Sequence, residues 1–338
     1  MATRWGIAGA GKISHDFVAS IMSKEVEHHV IAVAAKDLSR AQNFTKDFNI
    51  KRSYDNYLSL AEDKDIEVVY IGTLNTTHYE IAKIMLEHGK HVLCEKSLTM
   101  NAKQTKSLIT LAKSKNLFLM EAVWSRFFPL YKTIQQEIQS GNIGKIHQVI
   151  IPFGFNLKNV ERVNKKSLGG GTILDLGVYC LQFLCMIFNN KMPDKIKATG
   201  FVNEDGVDVS TSTTLLYNDN TTATILTHSL VNLSNEAYIY GEKGTIRVPN
   251  FWCPTELHLP GLNSQIPLPK TNYKMNFKNS EGLYYEANAV RMCLQQGKIE
   301  HPLMTHETSI LLAQLEDELR KQIGVTYPED STFVEYDL

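Results

Sequence analysis

The first 125 residues alternate short apolar runs with amphipathic stretches, and this alternation constrains the fold more than any other feature. Near-continuous apolar runs are typical of strands that are covered on both faces of a parallel sheet. These runs are Trp5–Ala8, Val30–Ala35, Val68–Ile71, Val92–Cys94 and Leu117–Met120, and the helical stretches between them include Leu38–Phe48, His78–His88 and Ala102–Ser114. Strands that alternate with helices of this length predict a doubly wound α/β domain over residues 1–125.

The pattern changes after Gly144, where the apolar runs become longer and richer in Val, Ile and Thr. The predicted strands are His147–Phe153, Lys195–Val202, Val209–Tyr217, Thr221–Leu230, Ala237–Tyr240 and Thr245–Val248, and helices follow near Glu281–Gln296 and Glu307–Ile323. Gly241-Glu-Lys-Gly244 separates the last two strands and indicates a hairpin. Residues 126–338 are therefore expected to form an α+β domain with an open, mostly antiparallel sheet and helices on one side.

Composition excludes several classes of partner. A net charge of −1 provides no electrostatic basis for binding nucleic acid or an anionic membrane. The longest apolar stretch, Leu176–Phe188, is too short to span a bilayer, and the first residues lack the pattern of a signal peptide. The five cysteines form no CxxC pair, which argues against a disulfide framework or a metal site. We therefore expect a cytoplasmic protein that acts on a small molecule.

The first strand runs into a glycine-rich turn, Gly9-Ala-Gly11-Lys12-Ile13-Ser14, that opens a helix. Two glycines permit a tight turn and close approach of a pyrophosphate, and the helix N-terminus supplies N–H donors for the phosphates. Ser14 occupies the position of the third glycine in this fingerprint, so the match is degenerate and a purely structural turn is the alternative. Its place inside a βαβ unit favours a Rossmann dinucleotide-binding site.

The end of the second strand carries cations where an NAD-binding protein usually carries an acidic residue. Lys36 and Arg40 are spaced to hold a 2′-phosphate, and the Ser39 hydroxyl adds a donor. This pattern predicts NADP as the cofactor. The alternative is a solvated basic helix start, and the side chain of Asp37 cannot be placed from sequence.

Two further strands end in polar groups. Gly72-Thr73-Leu-Asn75 follows one strand and leads to His78, and Glu95-Lys96-Ser97 follows the next. Ligands of open α/β sheets bind beyond the carboxyl ends of the strands, so Lys96 is expected to point into that crevice. An ordinary surface lysine is the alternative.

A glycine triplet precedes a nearly apolar helical segment in the second half. Its polar positions Asp175, Tyr179 and Gln182 follow spacings of four and three, which place them on one stripe of a helix. Such a stripe is typical of the wall of a site. The alternative is a buried tyrosine whose hydroxyl finds a structural partner.

Together these features resemble the Gfo/Idh/MocA oxidoreductase family over essentially the whole chain. The resemblance rests on the Gly9/Gly11 turn, Gly72–Asn75 with His78, Glu95-Lys96 and Asp175-x-x-x-Tyr179, and it extends to Trp124-Ser-Arg-Phe-Phe-Pro129 and Trp252–Leu257. It implies hydride transfer between NADP and a secondary alcohol or carbonyl. The likeness is strongest to a subgroup that oxidises trans-dihydrodiols or D-xylose. Alternatives are a reductase of sugars or reactive dicarbonyls, and a non-catalytic NADP-binding sensor.

The resemblance also assigns roles to residues. It implies Lys96 and Tyr179 as the catalytic pair, with Asp175 nearby. The implied cofactor-binding residues are Gly9, Gly11, Lys12, Ile13, Lys36, Ser39, Arg40, Thr73, Asn75, His78, Glu95, Lys96, Trp124 and Arg126. The implied substrate residues are Trp124, Phe153, Asn156, Tyr179 and Phe277. A homodimer formed through the open sheet is expected.

Three positions depart from the family pattern or need an electrostatic argument. Ser97 stands where the family carries proline. This change is expected to remove a rigid, often cis, turn and to leave the pose of Lys96 less fixed. Lys36 stands where an arginine is expected, which removes the bidentate fork toward a phosphate. An unperturbed tyrosine titrates near 10, so we expect the Lys96 ammonium to favour the Tyr179 phenolate.

Overall fold

A six-stranded parallel sheet forms the first half of the chain, in the order β3-β2-β1-β4-β5-β6. The computed structural model describes residues 2–22, 26–217 and 219–332. The strands are β1 (Thr3–Ala8), β2 (His28–Ala34), β3 (Arg52–Tyr54), β4 (Val68–Ile71), β5 (His91–Glu95) and β6 (Leu119–Ala122). Strand order reverses between β1 and β4, so a crevice opens there at the carboxyl edge of the sheet.

The connecting helices are α1 (Lys12–Met22), α2 (Leu38–Asp47), α3 (Tyr57–Glu62), α4 (His78–Glu87) and α5 (Ala102–Ser114). The predicted Rossmann domain is confirmed, because all five neighbouring strand pairs are parallel. Sequence patterns missed β3 and α3. β3 has only three residues, all of them partly buried at the sheet edge, and so carries no apolar run to detect.

The second half contains an eight-stranded sheet in the order β14-β13-β12-β11-β7-β10-β9-β8. Its strands are β7 (Ile146–Gly154), β8 (Lys195–Val202), β9 (Asp208–Tyr217), β10 (Thr221–His228), β11 (Glu236–Gly241), β12 (Gly244–Pro249), β13 (Glu256–Leu259) and β14 (Leu262–Gln265). The helices are α6 (Pro129–Gln139), α7 (Glu161–Asn164), α8 (Val178–Ile187), α9 (Leu283–Gln295) and α10 (His306–Ile323). The predicted mostly antiparallel sheet is confirmed, and only β7 and β10 run parallel.

This sheet has one face in the core and one face open. Along β10, Ala223 and Ile225 are fully buried, whereas Thr222 and Thr224 between them remain partly exposed. Residues that alternate in this way belong to a sheet that is covered on one side only. The buried face packs in the same core cluster as α8.

The last two helices return to the first domain. Helix α9 packs on α1, and α10 packs on α5 as well as on α8 and β8. The fully buried Asp16 carboxylate on α1 accepts hydrogen bonds from the backbone N–H groups of Asn276 and Phe277 and from the Ser280 hydroxyl, at 2.6–2.9 Å. The segment that carries Phe277 is thereby tied to the helix that follows the glycine turn.

The apolar helix of the second half is longer than the sequence indicated. A π-helical turn, Ile173–Gly177, leads directly into α8. By length and composition alone, the segment Lys166–Ile187, which includes the turn at Gly169–Gly171, could cross a membrane, although the apolar stretch Leu176–Phe188 within it is too short by itself. However, 94% of its most apolar window is buried inside the protein, which is also typical of a core helix in a soluble protein.

Candidate active site

The glycine turn lies at the carboxyl end of β1, beside the end of β4. Gly9 has a φ of +104°, and a Cβ there would lie 2.8 Å from the Gly72 carbonyl oxygen. A side chain at Gly9 is therefore excluded both by backbone conformation and by space. The Ser14 hydroxyl donates to the same Gly72 oxygen at 3.4 Å, so the residue that departs from the fingerprint packs closely against β4.

The cations predicted to bind a 2′-phosphate lie on the surface beside this turn. Lys36, Ser39 and Arg40 are exposed, and an Arg40 Nη2 lies 3.5 Å from the Ala10 carbonyl oxygen inside the turn. The Asp37 carboxylate accepts from the Ser39 backbone N–H at 2.7 Å and caps α2. Hydrogen bonds from Ser39 lower the Asp37 pKa. These exposed cations lie beside the glycine turn that leads into the N-terminus of α1, an arrangement that fits the adenosine end of a phosphorylated dinucleotide.

The polar groups after β4 connect the two domains. The Asn75 side-chain amide donates to the Gly169 carbonyl oxygen at 3.0 Å, and the Thr73 hydroxyl lies 2.9 Å from that of Thr77. His78 is buried, with Nδ1 3.0 Å from the Ser97 carbonyl oxygen and Nε2 3.3 Å from that of Thr73. Burial lowers the His78 pKa to about 4, so this imidazole is neutral at neutral pH.

Lys96, the residue directly after β5, reaches across to the second domain. Its Nζ donates to the backbone oxygen of Asp175 at 2.8 Å and to the Asp175 carboxylate at 3.2 Å. The peptide bond between Lys96 and Ser97 is cis, so the expectation that serine removes the cis turn is wrong. The structure thus brings together the lysine and aspartate that sequence reasoning selected from different halves of the chain.

Arg162 completes this ion-pair group, and sequence reasoning missed it. Its two Nη atoms lie 2.9 and 3.4 Å from the two Asp175 carboxylate oxygens. Burial alone would raise the Asp175 pKa, but Arg162 and Lys96 hold it well below its usual range. Arg162 lies on the four-residue α7, where neither periodicity nor a strand end marks it.

Tyr179 lies beside this group, and its hydroxyl accepts a hydrogen bond from the Trp124 indole N–H at 2.8 Å. The Lys96 ammonium sits 4.8 Å from the centre of the Tyr179 ring. Burial first, then the charge of Glu95, raises the Tyr179 pKa well above 10. The expected phenolate is therefore wrong for this structure, because burial of the hydroxyl and the charge of Glu95 both favour the neutral phenol.

Gln182 does not share the site with Asp175 and Tyr179. Its side-chain amide donates to the Tyr131 hydroxyl at 2.8 Å, and the residue is fully buried. The predicted single stripe fails here because the helix is buried on all sides and starts with a π-helical turn. Polar side chains on such a helix each find a partner in a different direction.

Aromatic rings line the space around Tyr179. Phe153 packs edge-on against Tyr179 at 5.8 Å between ring centres and contacts Phe155 and Trp252 at 5.4 and 4.9 Å. Sequence reasoning missed Phe155, and it noticed Trp252 only as part of a family-like segment. Two predicted substrate residues lie farther out. Asn156 is exposed and donates its backbone N–H to Asn232, and Phe277 is 43% exposed.

Two predicted cofactor residues have partners inside the protein. Glu95 is buried and accepts from the Tyr70 hydroxyl at 2.6 Å, and burial raises its pKa. The Arg126 guanidinium is also buried and donates to the carbonyl oxygens of Leu303 and Gln182, both at 2.9 Å. The Arg126 guanidinium thus bonds to backbone oxygens inside the protein.

No group of three or more His, Cys, Asp and Glu side chains within residues 2–22, 26–217 and 219–332 is arranged to hold a metal ion.

Family models match both halves of the chain. Residues 3–123 match the oxidoreductase family GFO/IDH/MocA, NAD-binding Rossmann fold, and residues 131–247 match the GFO/IDH/MocA C-terminal domain. The chain belongs to this oxidoreductase family.

Curated relatives match over nearly the full length of the chain. A trans-1,2-dihydrobenzene-1,2-diol dehydrogenase of Xenopus tropicalis is 43% identical over 97% of this chain and 100% of its own length. The human protein of the same name is 41% identical over 98% of this chain and 99% of its own length.

Solved structures share the fold at lower identity. A 3-ketoreductase from Actinomadura kijaniata in complex with NADP has a TM-score of 0.82 at 22% identity, covering 96% of this chain and 98% of that one. An aldose-aldose oxidoreductase from Caulobacter crescentus has a TM-score of 0.81 at 18% identity, covering 95% and 97%.

The buried neutral His78 predicts a measurable dependence of stability on acid pH. Its stabilising effect is complete above pH 6.5 and is lost as pH falls toward about 4, because only the unfolded chain takes up the proton. The free energy of unfolding should fall by up to about 1.4 kcal/mol per pH unit from this source. The free energy of unfolding, measured by urea denaturation at several pH values between 7 and 4.5, should depend less steeply on pH in His78→Gln than in the wild-type protein.

The exposed His88 provides the control for this measurement. His88→Gln should keep the wild-type dependence of the unfolding free energy on pH. An unchanged pH dependence of the unfolding free energy in His78→Gln would contradict the assignment of a neutral imidazole.

Proposed function

We propose that this protein transfers hydride between NADP and a secondary alcohol or the corresponding carbonyl, with Tyr179 as the proton-transfer group. The proposal rests on the hydrogen bonding of the Tyr179 hydroxyl. The Tyr179 hydroxyl accepts from Trp124 beside the Lys96 ammonium, and none of the described residues accepts the proton of that hydroxyl. A hydroxyl held by its lone pair, with its proton free, is arranged to donate to a substrate oxygen.

The glycine turn, the N-terminus of α1 and the cations Lys36 and Arg40 would hold the cofactor. When bound, NADP accepts or supplies the hydride, and the protein supplies position and electrostatics. The resemblance adds Thr73, Asn75 and Lys96 to the residues that would contact it. A dinucleotide held by these residues would lie between β1 and β4, where open sheets of this type bind dinucleotides.

Tyr179 is protonated at rest, which suits donation to a carbonyl oxygen during reduction. The loss of that proton creates a phenolate, and the Lys96 ammonium above the ring stabilises the negative charge. In alcohol oxidation the direction is reversed: Tyr179 first loses its proton to solvent, and the phenolate oxygen then accepts the proton of the substrate alcohol. Asp175 and Arg162 fix the ammonium in place, since the carboxylate is shared between the two cations.

The substrate that this crevice supports best is a trans-dihydrodiol. The edges and faces of Phe153, Phe155 and Trp252 form an aromatic wall next to Tyr179, which suits a flat carbocyclic ring. Full-length relatives at 41–43% identity carry the name of that activity. D-Xylose is the second candidate, because a sugar ring also stacks on aromatic side chains.

We further propose a cytoplasmic homodimer. The five cysteines are all free and buried, which supports a reducing compartment. The outer face of the eight-stranded sheet presents partly exposed apolar groups in register, including Ile150 beside Thr224 and Tyr238 opposite Ile150. An open sheet face of this kind is stabilised when a second copy covers it.

Tyr179→Phe keeps the ring and its packing but removes the hydroxyl. We expect kcat to fall by roughly 10²–10⁴-fold, the usual loss when an acid–base group is removed. NADPH affinity should change little. The measurement is steady-state turnover of a trans-dihydrodiol, D-xylose and a dicarbonyl by NADPH absorbance, normalised to cofactor-binding sites.

The outcomes separate three cases. Near-normal kcat per folded site in Tyr179→Phe would show that another group transfers the proton. Tight NADPH binding without turnover of any of these compounds by the wild-type protein would favour a sensor. Turnover of the dicarbonyl alone would favour a reductase of a different substrate class.

Lys36→Ala combined with Arg40→Ala should raise the KM for NADP and leave that for NAD nearly unchanged. Charge-assisted hydrogen bonds to the 2′-phosphate are lost, at roughly tenfold or more in affinity for each cation. Lys46→Ala, an exposed lysine in the last turn of α2, serves as the matched control. Equal use of NAD and NADP by the unmodified protein would contradict this assignment.

Ile150→Arg combined with Thr224→Arg should convert the dimer to a monomer, because two charges would be buried in the covered sheet face. Sedimentation velocity measures the change. Leu58→Arg, on an exposed position of α3, should leave the dimer intact. A monomeric wild-type protein at micromolar concentration would refute the proposed assembly.

A further inference from the structure

The turn that carries Lys96 is anchored to the last helix of the chain. Ser97 is buried, and its hydroxyl donates to a Glu316 carboxyl oxygen on α10 at 2.6 Å. The same hydroxyl lies 3.3 Å from the carbonyl oxygen of Leu174, the residue before Asp175. One side chain therefore contacts α10 and the helical turn that carries the partner of Lys96.

A second carboxyl group lies under the same turn. Glu121, on β6, is buried, and one of its oxygens accepts from the Leu98 backbone N–H at 2.9 Å. Its other oxygen is buried and has no hydrogen-bond partner among the described residues. The two residues that follow Lys96 are thus each held by one buried glutamate.

The charges around Glu316 favour its neutral form. Glu121 faces it from β6, and Asp317 and Arg320 face it from α10 itself. Arg320 is already paired with Asp317 and Asp330, at 2.6 and 3.0 Å. Burial and the neighbouring Glu121 raise the Glu316 pKa well above its ordinary value, and burial raises that of Glu121 to about 7. A protonated carboxyl group still accepts from Ser97 through its carbonyl oxygen.

We propose that Glu316 is a positioning residue that acts through the Ser97 hydroxyl to hold the backbone of Lys96 in the crevice. Ser97 stands where the family carries proline, so this chain secures the turn with a hydrogen bond to α10 in place of a ring. The ammonium of Lys96 is held separately by Asp175. This inference rests on the proposed role of the Lys96–Tyr179 pair.

Loss of the link should displace Lys96 without removing any group that reacts. Small displacements of a positioned group reduce turnover, so we expect kcat per folded site to fall roughly tenfold in Ser97→Ala and in Glu316→Leu. The KM for NADP should change little. Glu316→Gln keeps a neutral acceptor of the same shape and should retain near-normal kcat.

A double-mutant cycle distinguishes positioning from general support of the fold. If Glu316 acts through Ser97, Glu316→Leu should cause no further loss of kcat in the Ser97→Ala background. Two independent, additive losses would overturn the proposal, and so would normal kcat in Ser97→Ala. Glu318→Leu, on the same helix and paired with Gln322, is the matched control and should leave kcat unchanged.

Hydrogen exchange gives a readout that does not depend on turnover. The amides of residues 95–99 should exchange faster in Ser97→Ala and Glu316→Leu than in wild type, and Glu316→Gln should restore protection. If the wild-type protein shows no turnover, the proposed function fails while this measurement still tests the link. If turnover is lost in Tyr179→Phe but exchange and kcat are normal in Ser97→Ala, only the link fails.

Discussion

The ion pair between Lys96 and Asp175 is the interaction on which the site depends, because it joins the carboxyl edge of one sheet to the helix that lies against the other. Both side chains are largely withdrawn from water, at 13% and 14% exposure. Removing two charges from water is costly, and the attraction repays that cost only when geometry and further partners are favourable. Arg162 and the Asp175 backbone oxygen supply those partners, so the ammonium is held at one place above the Tyr179 ring.

The two acid–base groups of this crevice differ in protonation, although burial favours the neutral form of both. The carboxyl group of Asp175 stays ionised because two cations outweigh the cost of its desolvation. The phenol of Tyr179 stays protonated because burial disfavours its charged form and Glu95 adds negative charge. Two neighbouring groups of the crevice thus differ in protonation at neutral pH, as the proposed roles of an orienting carboxylate and a proton-transferring phenol require.

The C-terminal helices make the two domains depend on each other. Helix α10 packs against α5 of the first domain and presents Glu316 to the turn after β5, while Asp16 on α1 holds the segment that carries Phe277. Residues far apart in sequence therefore support the same crevice. A change in α10 or α1 can alter the site although neither helix contributes a group that reacts.

Short-range patterns and strand ends in the sequence indicated the parallel first domain, the glycine turn, the open second sheet and the place of Lys96 at the crevice, whereas the grouping of Lys96 with Tyr179 and Asp175 was implied by the family resemblance. The tertiary structure alone decided the role of Arg162, the separation of Gln182 from the site, the parallel pairing of β7 with β10 and the burial of Arg126. It also decided the protonation of Tyr179. Periodicity reports which side of an element faces the core, but the partner of each polar group depends on contacts between distant segments. The strength of a charge likewise depends on how much water those contacts remove.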